Sequence, residues 1–420
     1  MKKPRFDSRP LMTYPCLESM NSPAMSIRDL LISTKRDVFS EKALFWSAWL
    51  LFFLIPIATS PAVIAGGLNI SIWIFTGKFW KERGKWLNRD WTLPVLFFML
   101  LPWAGLLWTN DLRWGLVFAT KSYYWLYAFA AASLNWGLHK PKDLVNAFLS
   151  GLTTSFFIAM LQLMKLLPMN VSPTSFVNHI SYSLLLVLGI MIASFYYARA
   201  AGRKEKFYMA FLMAAFFFNL SVTHGRAGYL AFVLLSPVII FNIFGKKHVL
   251  KAAAALLAAI VLLFSAPMVK KRVNDAVSDI NLYSKGDSET SMGLRFYFWK
   301  GAANIFINSP FLGAGTGGYG KAMEAYRTDP ALPHAIQPHN SFLYMTASFG
   351  IFGLASIMWL FYVFLRKGWR ARRSVAGFSV LAYGIILLIG SMTDTQILSI
   401  ATAKLFSVLM GLETEIDLHG

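Results

Sequence analysis

Uninterrupted apolar runs of about 16 to 24 residues recur along nearly the whole chain, and they constrain its fold more than any other feature. As helix, that length covers a hydrocarbon core of about 30 Å. Strands of a transmembrane barrel would instead alternate in character over about ten residues. The runs predict twelve helices, near 43–58, 61–77, 92–109, 115–136, 145–166, 180–198, 207–223, 228–245, 250–267, 342–365, 374–391 and 396–411. The expected fold is an all-α polytopic integral membrane protein with a long helical outer loop between helices 9 and 10. Composition agrees, since 56% of the 420 residues are hydrophobic and only 14% charged, where soluble domains carry about 25% charged residues.

A net charge of +20 would suit nucleic acid by amount, but its placement points to a membrane instead. Lys and Arg cluster in alternate connections: eight in the N-terminal tail, five from Lys78 to Arg89, Lys140 with Lys142, four from Arg199 to Lys206, three from Lys246 to Lys251 and five from Arg366 to Arg373. That is 27 of the 40. The intervening short connections hold only Arg113, Lys165 and Arg226. The positive-inside rule then places both termini in the cytoplasm. The expected organisation is a cytoplasmic N-terminal arm (1–42), helices 1–9 (43–267), an outer loop domain (268–341), helices 10–12 (342–411) and a cytoplasmic tail (412–420). MKKPRF opens the chain, but no apolar run follows until after Lys42, so the arm reads as mobile rather than as a cleaved signal peptide. Its Cys16 is the chain's single cysteine and excludes an intramolecular disulfide framework.

The outer segment is the one extramembrane piece large enough to fold. Val269, Val273, Val277, Ile280 and Tyr283 recur at helical spacing with Asp275, Asp279 and Lys285 elsewhere, which predicts an amphipathic helix on the membrane surface. A second helix is expected from near Ser288 to Ser291, with Leu294, Phe298, Gly301 and Ile305 on one face and a stop at Asn308-Ser309-Pro310. GAGTGGYGK, Gly313 to Lys321, satisfies a bare dinucleotide pattern and most of a phosphate loop. No strand precedes it, and Ala322 stands where the metal-binding hydroxyl belongs. The glycines therefore read as backbone turns that only Gly tolerates, with room for close approach to a bulky ligand.

QPHNSFL, Gln337 to Leu343, puts a histidine and amides at the mouth of an apolar helix. With Pro338 in its first turn, that helix would present His339 and Asn340 near the unpaired N–H groups of its outer end, where anions are attracted. A helix cap or a contact with lipid headgroups is the alternative for His339. Arg226, in THGRAGYL, and Arg295, in MGLRFYFW, sit among apolar neighbours rather than in solvated basic runs. Each needs an anion. Outer carboxylates are few (Asp111, Asp275, Asp279, Asp287, Glu289, Glu324, Asp329 and Asp394), so the choice lies between salt bridges to these and convergence on a phosphate-bearing ligand.

HGRAGYL, GLRFYFWKGAANIFINSPFLGAGTGGYG and PHNSFLYMTASFGIFG, in this order and on one side of the membrane, resemble the bacterial O-antigen ligases of the O-antigen ligase and polymerase superfamily. The resemblance covers Ser221 to Gly353 well, and helix count and loop length extend it. It implies a glycosyltransferase that moves O-antigen from undecaprenyl pyrophosphate to a lipid A-core sugar, on the periplasmic side of the Gram-negative inner membrane. It also implies that neither metal nor nucleotide cofactor is used. By the same resemblance Arg226, Arg295 and His339 are catalytic, the arginines holding pyrophosphate and the histidine serving as base. Asn340 joins them as a substrate contact.

Several polar residues of the outer half are further substrate-binding candidates. Lys121 lies about 9 Å below the outer end of its helix and can reach the same cavity or snorkel to the interface. His179 and His224 are outer residues suited to the acceptor side, and Asp394, opening the last helix, can orient an arginine or His339. Lys404 lies deeper and reads as structural. For metal, His334 and His339 have no cysteine or third histidine beside them, and the tail Glu413-x-Glu415-Ile-Asp417 faces the cytoplasm. Two other functions compete: a polymerase joining lipid-linked units by the same donor chemistry, and a polysaccharide exporter. An exporter should show internal repeats and a midplane site, whereas the unusual polar residues here gather at one face.

Overall fold

The computed structural model describes residues 27–169, 171–285, 289–327 and 332–414. Cys16, most of the expected arm, Asp287, Asp329, and Glu415 and Asp417 of the tail lie outside the described residues. Contacts divide the chain into the units Met1–Ser40 and Glu41–Gly420, and all twelve apolar segments belong to the second.

Each of those segments has a helical counterpart. Before the loop come α1 (Ile27–Leu54), α2 (Thr59–Phe75), α3 (Thr92–Ala104), α4 (Leu112–Thr120), α5 (Leu126–Ala132), α6 (Pro141–Leu163), α7 (His179–Arg199), α8 (Arg203–Val222), α9 (Arg226–Phe244) and α10 (Val249–Ser265). The loop contains α11 (Pro267–Ser284), α12 (Ser291–Asn308) and α13 (Tyr319–Glu324), and α14 (Ser341–Arg370), α15 (Val375–Thr393) and α16 (Ile400–Gly411) follow. No strand forms among the described residues, only isolated bridges of Phe176 with Ala58 and Thr174. Seven helices, α6 to α10 with α14 and α15, are long and apolar enough to cross a membrane; α2, α16 and residues 92–107 are shorter apolar pieces.

Burial sorts these helices into centre and rim. The apolar window of α7 is 83% buried and that of α10 only 6%. A helix apolar on every side suits the middle of a bundle, and α7 packs there against α8, α9 and α15. Its Tyr182 hydroxyl is held by Asn219 (2.7 Å) and Ser155 (3.0 Å), so the polar atoms it carries inward are paired.

Three departures from the sequence reading have backbone causes. α1 starts at Ile27, not near 43, because no Pro or Gly interrupts Ile27 to Lys42 and a helix can outrun its apolar stretch. The expected helix 115–136 is broken, with a 3-10 stretch from Lys121 to Trp125 between α4 and α5. α14 is also broken, at Gly350 (φ 60°, ψ −143°), a conformation essentially only glycine visits.

The glycine run explains the break in α14. Gly313, Gly315 and Gly317 all have positive φ, as a turn reserved for Gly requires. Ala314 N–H donates to Ala347 O and Gly315 N–H to Ser348 O, each at 2.9 Å, while Ile351 N–H donates to Pro310 O at 2.8 Å. The loop thus satisfies carbonyls that the broken helix cannot, as an apolar environment demands. The backbone it approaches closely is that of the protein's own helices. A Cβ at Gly350 would stand 2.4 Å from the Phe311 carbonyl. Gly350→Ala should therefore lose more than the roughly 1–2 kcal/mol of a left-handed alanine, seen as a lowered thermal midpoint in detergent. An unchanged midpoint would show that the break is dispensable.

Candidate active site

The site is assembled where the N-terminal ends of α7 and α9 and the C-terminal end of α15 meet the loop helices and the start of α14. Asn178 caps α7, its side chain accepting from Ile180 N–H at 2.9 Å, and His179 is the first helical residue. The turn Thr223–Gly225 lies directly on that first turn: a Cβ on Gly225 would fall 2.3 Å from Ser183 Oγ and 2.8 Å from His179 O. Only glycine allows this approach, and it sets Arg226, the first residue of α9, beside α7.

The guanidinium of Arg226 finds little inside the protein. Its Nη1 lies 3.8 Å from Asp279 Oδ2, and both Nε and Nη1 are buried without a hydrogen-bond partner. Asp279 also accepts from Met292 N–H at 3.3 Å, which ties α11 to the start of α12, where Thr290 caps Gly293 N–H at 3.1 Å. One turn on, the one hydrogen-bond partner of Arg295 among the described residues is Met292 Sδ at 3.9 Å. Among the described residues no carboxylate lies within salt-bridge distance of Arg295. Burial lowers its pKa from the ordinary arginine value, Asp394 and then Asp279 oppose that shift, and Arg272 adds to it. His224 is likewise lowered, by burial first and then by Arg272 and Lys271, and its Nδ1 has no partner.

His339 sits differently from expectation. α14 begins at Ser341, so Pro338 and His339 precede the helix rather than forming its first turn. Asn340 is the cap, accepting from Phe342 N–H (2.9 Å) and Leu343 N–H (3.0 Å), while its Nδ2 donates to Met392 O at 3.0 Å. That amide is thus engaged in joining α14 to the end of α15, which accounts for its place without a substrate. His339 has φ +51°, left-handed backbone that few non-glycine residues adopt, histidine among the more tolerant. Trp299 Nε1–H donates to Pro338 O at 3.0 Å and Ser341 Oγ to Asp394 O at 3.2 Å, bracketing the turn.

The turn aims the imidazole at Asp394. His339 Nδ1 lies 2.9 Å from Asp394 Oδ1, Gln396 Nε2 donates to Asp394 Oδ2 at 3.0 Å, and Ser181 Oγ donates to Gln396 Oε1 at 3.1 Å. Asp394 closes α15 rather than opening the last helix, and of the two partners expected for it, it hydrogen-bonds His339. With Nδ1–H donating to the carboxylate, Nε2 is left as the acceptor, the arrangement that makes a histidine a base.

Lys121 lies in the 3-10 break and lines a groove with Phe118, Trp125, Thr316, Tyr344 and Ile397, its Nζ 5.1 Å from the centre of the Phe118 ring. Tyr344 is one turn along α14 from Asn340. His334 is placed apart, near Glu324 (3.4 Å) and Arg327 (3.1 Å), and shares no partner with His339. Lys404 is fully buried, its Nζ 3.4 Å from Ala62 O and facing the rings of Tyr123, Tyr124 and Tyr127. Sequence reasoning missed Gln396 and Ser181, which carry no periodic signal. It also missed Arg272, although Arg272 falls on the same helical face as Val269 and Ala276.

Helices stacked around α7, with a carboxylate-held histidine and guanidiniums at one end, define an all-α polytopic membrane protein with a polar site at one face. Residues 209–358 match the family model described as O-antigen ligase, a stretch holding Arg226, Arg295 and His339. The chain is similar to an "O-antigen ligase" of Escherichia coli (strain K12), 27% identical over 183 residues, 41% of this chain and 43% of the relative. It is also similar to "Putative polysaccharide ligase RC0486" of Rickettsia conorii, 28% identical over 173 residues, 40% of each chain. The alignments thus span about two fifths of these relatives' length. The likeness to O-antigen ligases thus rests on residues 209–358 and on alignments over about two fifths of the chain.

Proposed function

We propose that this chain is a glycosyltransferase that ligates O-antigen from undecaprenyl pyrophosphate onto a sugar of the lipid A core. The observation that carries the reading is the His339–Asp394 pair at 2.9 Å, set in the same charge network as Arg226 and Arg295, whose guanidiniums lack firm partners among the described residues. The acceptor hydroxyl gives its proton to His339 Nε2 as its oxygen bonds to the anomeric carbon. The bond from that carbon to the pyrophosphate oxygen breaks, and its electron pair leaves with the pyrophosphate. Arg226 and Arg295 meet the departing charge, the electrostatic task a divalent cation performs elsewhere. Because the donor already carries an activated bond, the step needs no nucleotide. Direct displacement inverts the anomeric centre.

The test is purified protein with undecaprenyl-pyrophosphate glycan and separate acceptors, in EDTA and without ATP, with products identified by mass. Glycosylated lipid A core is the expected product. A lengthened lipid-linked glycan would make the chain a polymerase, and glycan moved across liposomes without a new bond would make it an exporter.

The basic connections support an orientation with the site facing the periplasm of the inner membrane and the termini in the cytoplasm. His334 is exposed in the loop five residues before His339, and Lys204 is exposed at the start of α8. A cysteine at His334 should react with an impermeant maleimide on intact spheroplasts, and one at Lys204 only after lysis. The reverse pattern would place the site where the donor is not presented.

A further inference from the structure

We propose that Arg272 is the third arm of the anion site, matched to the charge that develops on the departing diphosphate; this rests on the ligase reading above. Positions 272, 275, 276, 279 and 283 share one face of α11, since three and four residues make about one turn. That face is fixed at two points: Asp279 reaches Arg226 at 3.8 Å, and the Tyr283 ring lies 5.1 Å from the Phe296 ring of α12. Arg272, two turns before Asp279, is thereby directed to the side where Arg226 and Arg295 stand. Its field acts on Arg226, Arg295, His179 and His224 alike.

Arg272 is as poorly partnered as Arg226. Among the described residues its Nε is buried without a hydrogen-bond partner, and its one ion pair, to Asp275 at 3.6 Å, is long and its carboxylate 39% exposed. Such an exposed pair contributes at most about 1 kcal/mol. Like charges brought together without full neutralisation oppose folding unless an anion joins them. Three guanidiniums fit a diphosphate better than two. The donor's diphosphate is a diester with two negative charges, and breaking the sugar–oxygen bond leaves a monoester with one more. Arg226 and Arg295 match the charge already present, and Arg272 meets the one that appears, so its contact strengthens as the bond breaks.

The experiment uses the full chain in nanodiscs with farnesyl diphosphate, a monoester like the leaving group, and farnesyl phosphate. Wild type should bind the diphosphate more tightly. Arg272→Ala should weaken diphosphate binding by about 10- to 100-fold, the range of a hydrogen bond to a charged group, and monophosphate binding much less, with the thermal midpoint kept. Arg272→Lys should restore part of the loss. Equal weakening of both ligands, or none of either, overturns the inference; if Arg226→Ala still abolishes diphosphate binding, the ligase reading stands without it. Failure of wild type to prefer diphosphate would remove the donor site itself, and both readings with it.

Discussion

Asp394→Asn should lower turnover by about 10²–10⁴-fold, the contribution of a positioned general base, while donor binding is kept. Gln396 Nε2 donates to Asp394 Oδ2 and His339 lies on Oδ1. An asparagine can serve both neighbours only by turning its carbonyl to Gln396 and its NH₂ to His339 Nδ1. That NH₂ makes Nδ1 an acceptor and moves the imidazole proton to Nε2, which can then no longer take a proton from the acceptor hydroxyl. Reversing the Gln396 amide would relieve the conflict but would give up the bond from Ser181 Oγ to Gln396 Oε1. Donor binding should if anything tighten, because Asp394 competes for the field of Arg295. A companion variant, His339→Asn, suits the left-handed backbone at φ +51° and removes the base without strain. Single-turnover rates and donor affinity, measured separately, check both. Wild-type turnover in Asp394→Asn and His339→Asn alike would leave this turn as a structural device that joins α14 to α15.

Which parts of this could be read in the chain follows from what each signal measures. Apolar runs report burial or lipid contact, so all twelve segments emerged as helix, yet hydropathy carries no information about φ. The Gly350 break lies in SFLYMTASFGIFG, which holds no charge and no proline and is silent on where a helix stops. The 3-10 stretch at Lys121 is hidden for the same reason. At the site, Arg226 and Arg295 stood out because their surroundings are apolar. Arg272 did not, because it follows Lys270 and Lys271 in a helix whose polar residues pass for a solvated face. Asp279 was assigned to that face too, but it turns inward to Arg226. An amphipathic pattern sorts residues into two sides and cannot say that a polar side faces another helix. The pairing of His339 with Asp394 spans 55 residues, and only packing of α14 on α15 brings the two together.

Arg226→Lys and Arg295→Lys should each keep the fold and lose about 2.7–4 kcal/mol of transition-state stabilisation, the scale of a removed oxyanion donor and about 10²–10³ in rate. The charge is kept, so any loss reads geometry. Lysine offers one ammonium where arginine offers a planar fork able to hold two phosphate oxygens at once. Arg226 has two further constraints, because its Nε and Nη1 are buried without a hydrogen-bond partner among the described residues and its Nη1 faces Asp279 at 3.8 Å. A lysine at 226 can swing fully onto Asp279 and neutralise itself, whereas one at 295 has no carboxylate within reach among the described residues. The loss at 226 should therefore be the larger, and Asp279→Asn should recover part of it in Arg226→Lys. Rates for the two variants and the double variant, at saturating and limiting donor, decide the matter. Equal kcat/KM in all of them and wild type would mean that these guanidiniums act as diffuse positive charge, and that the leaving diphosphate is held elsewhere.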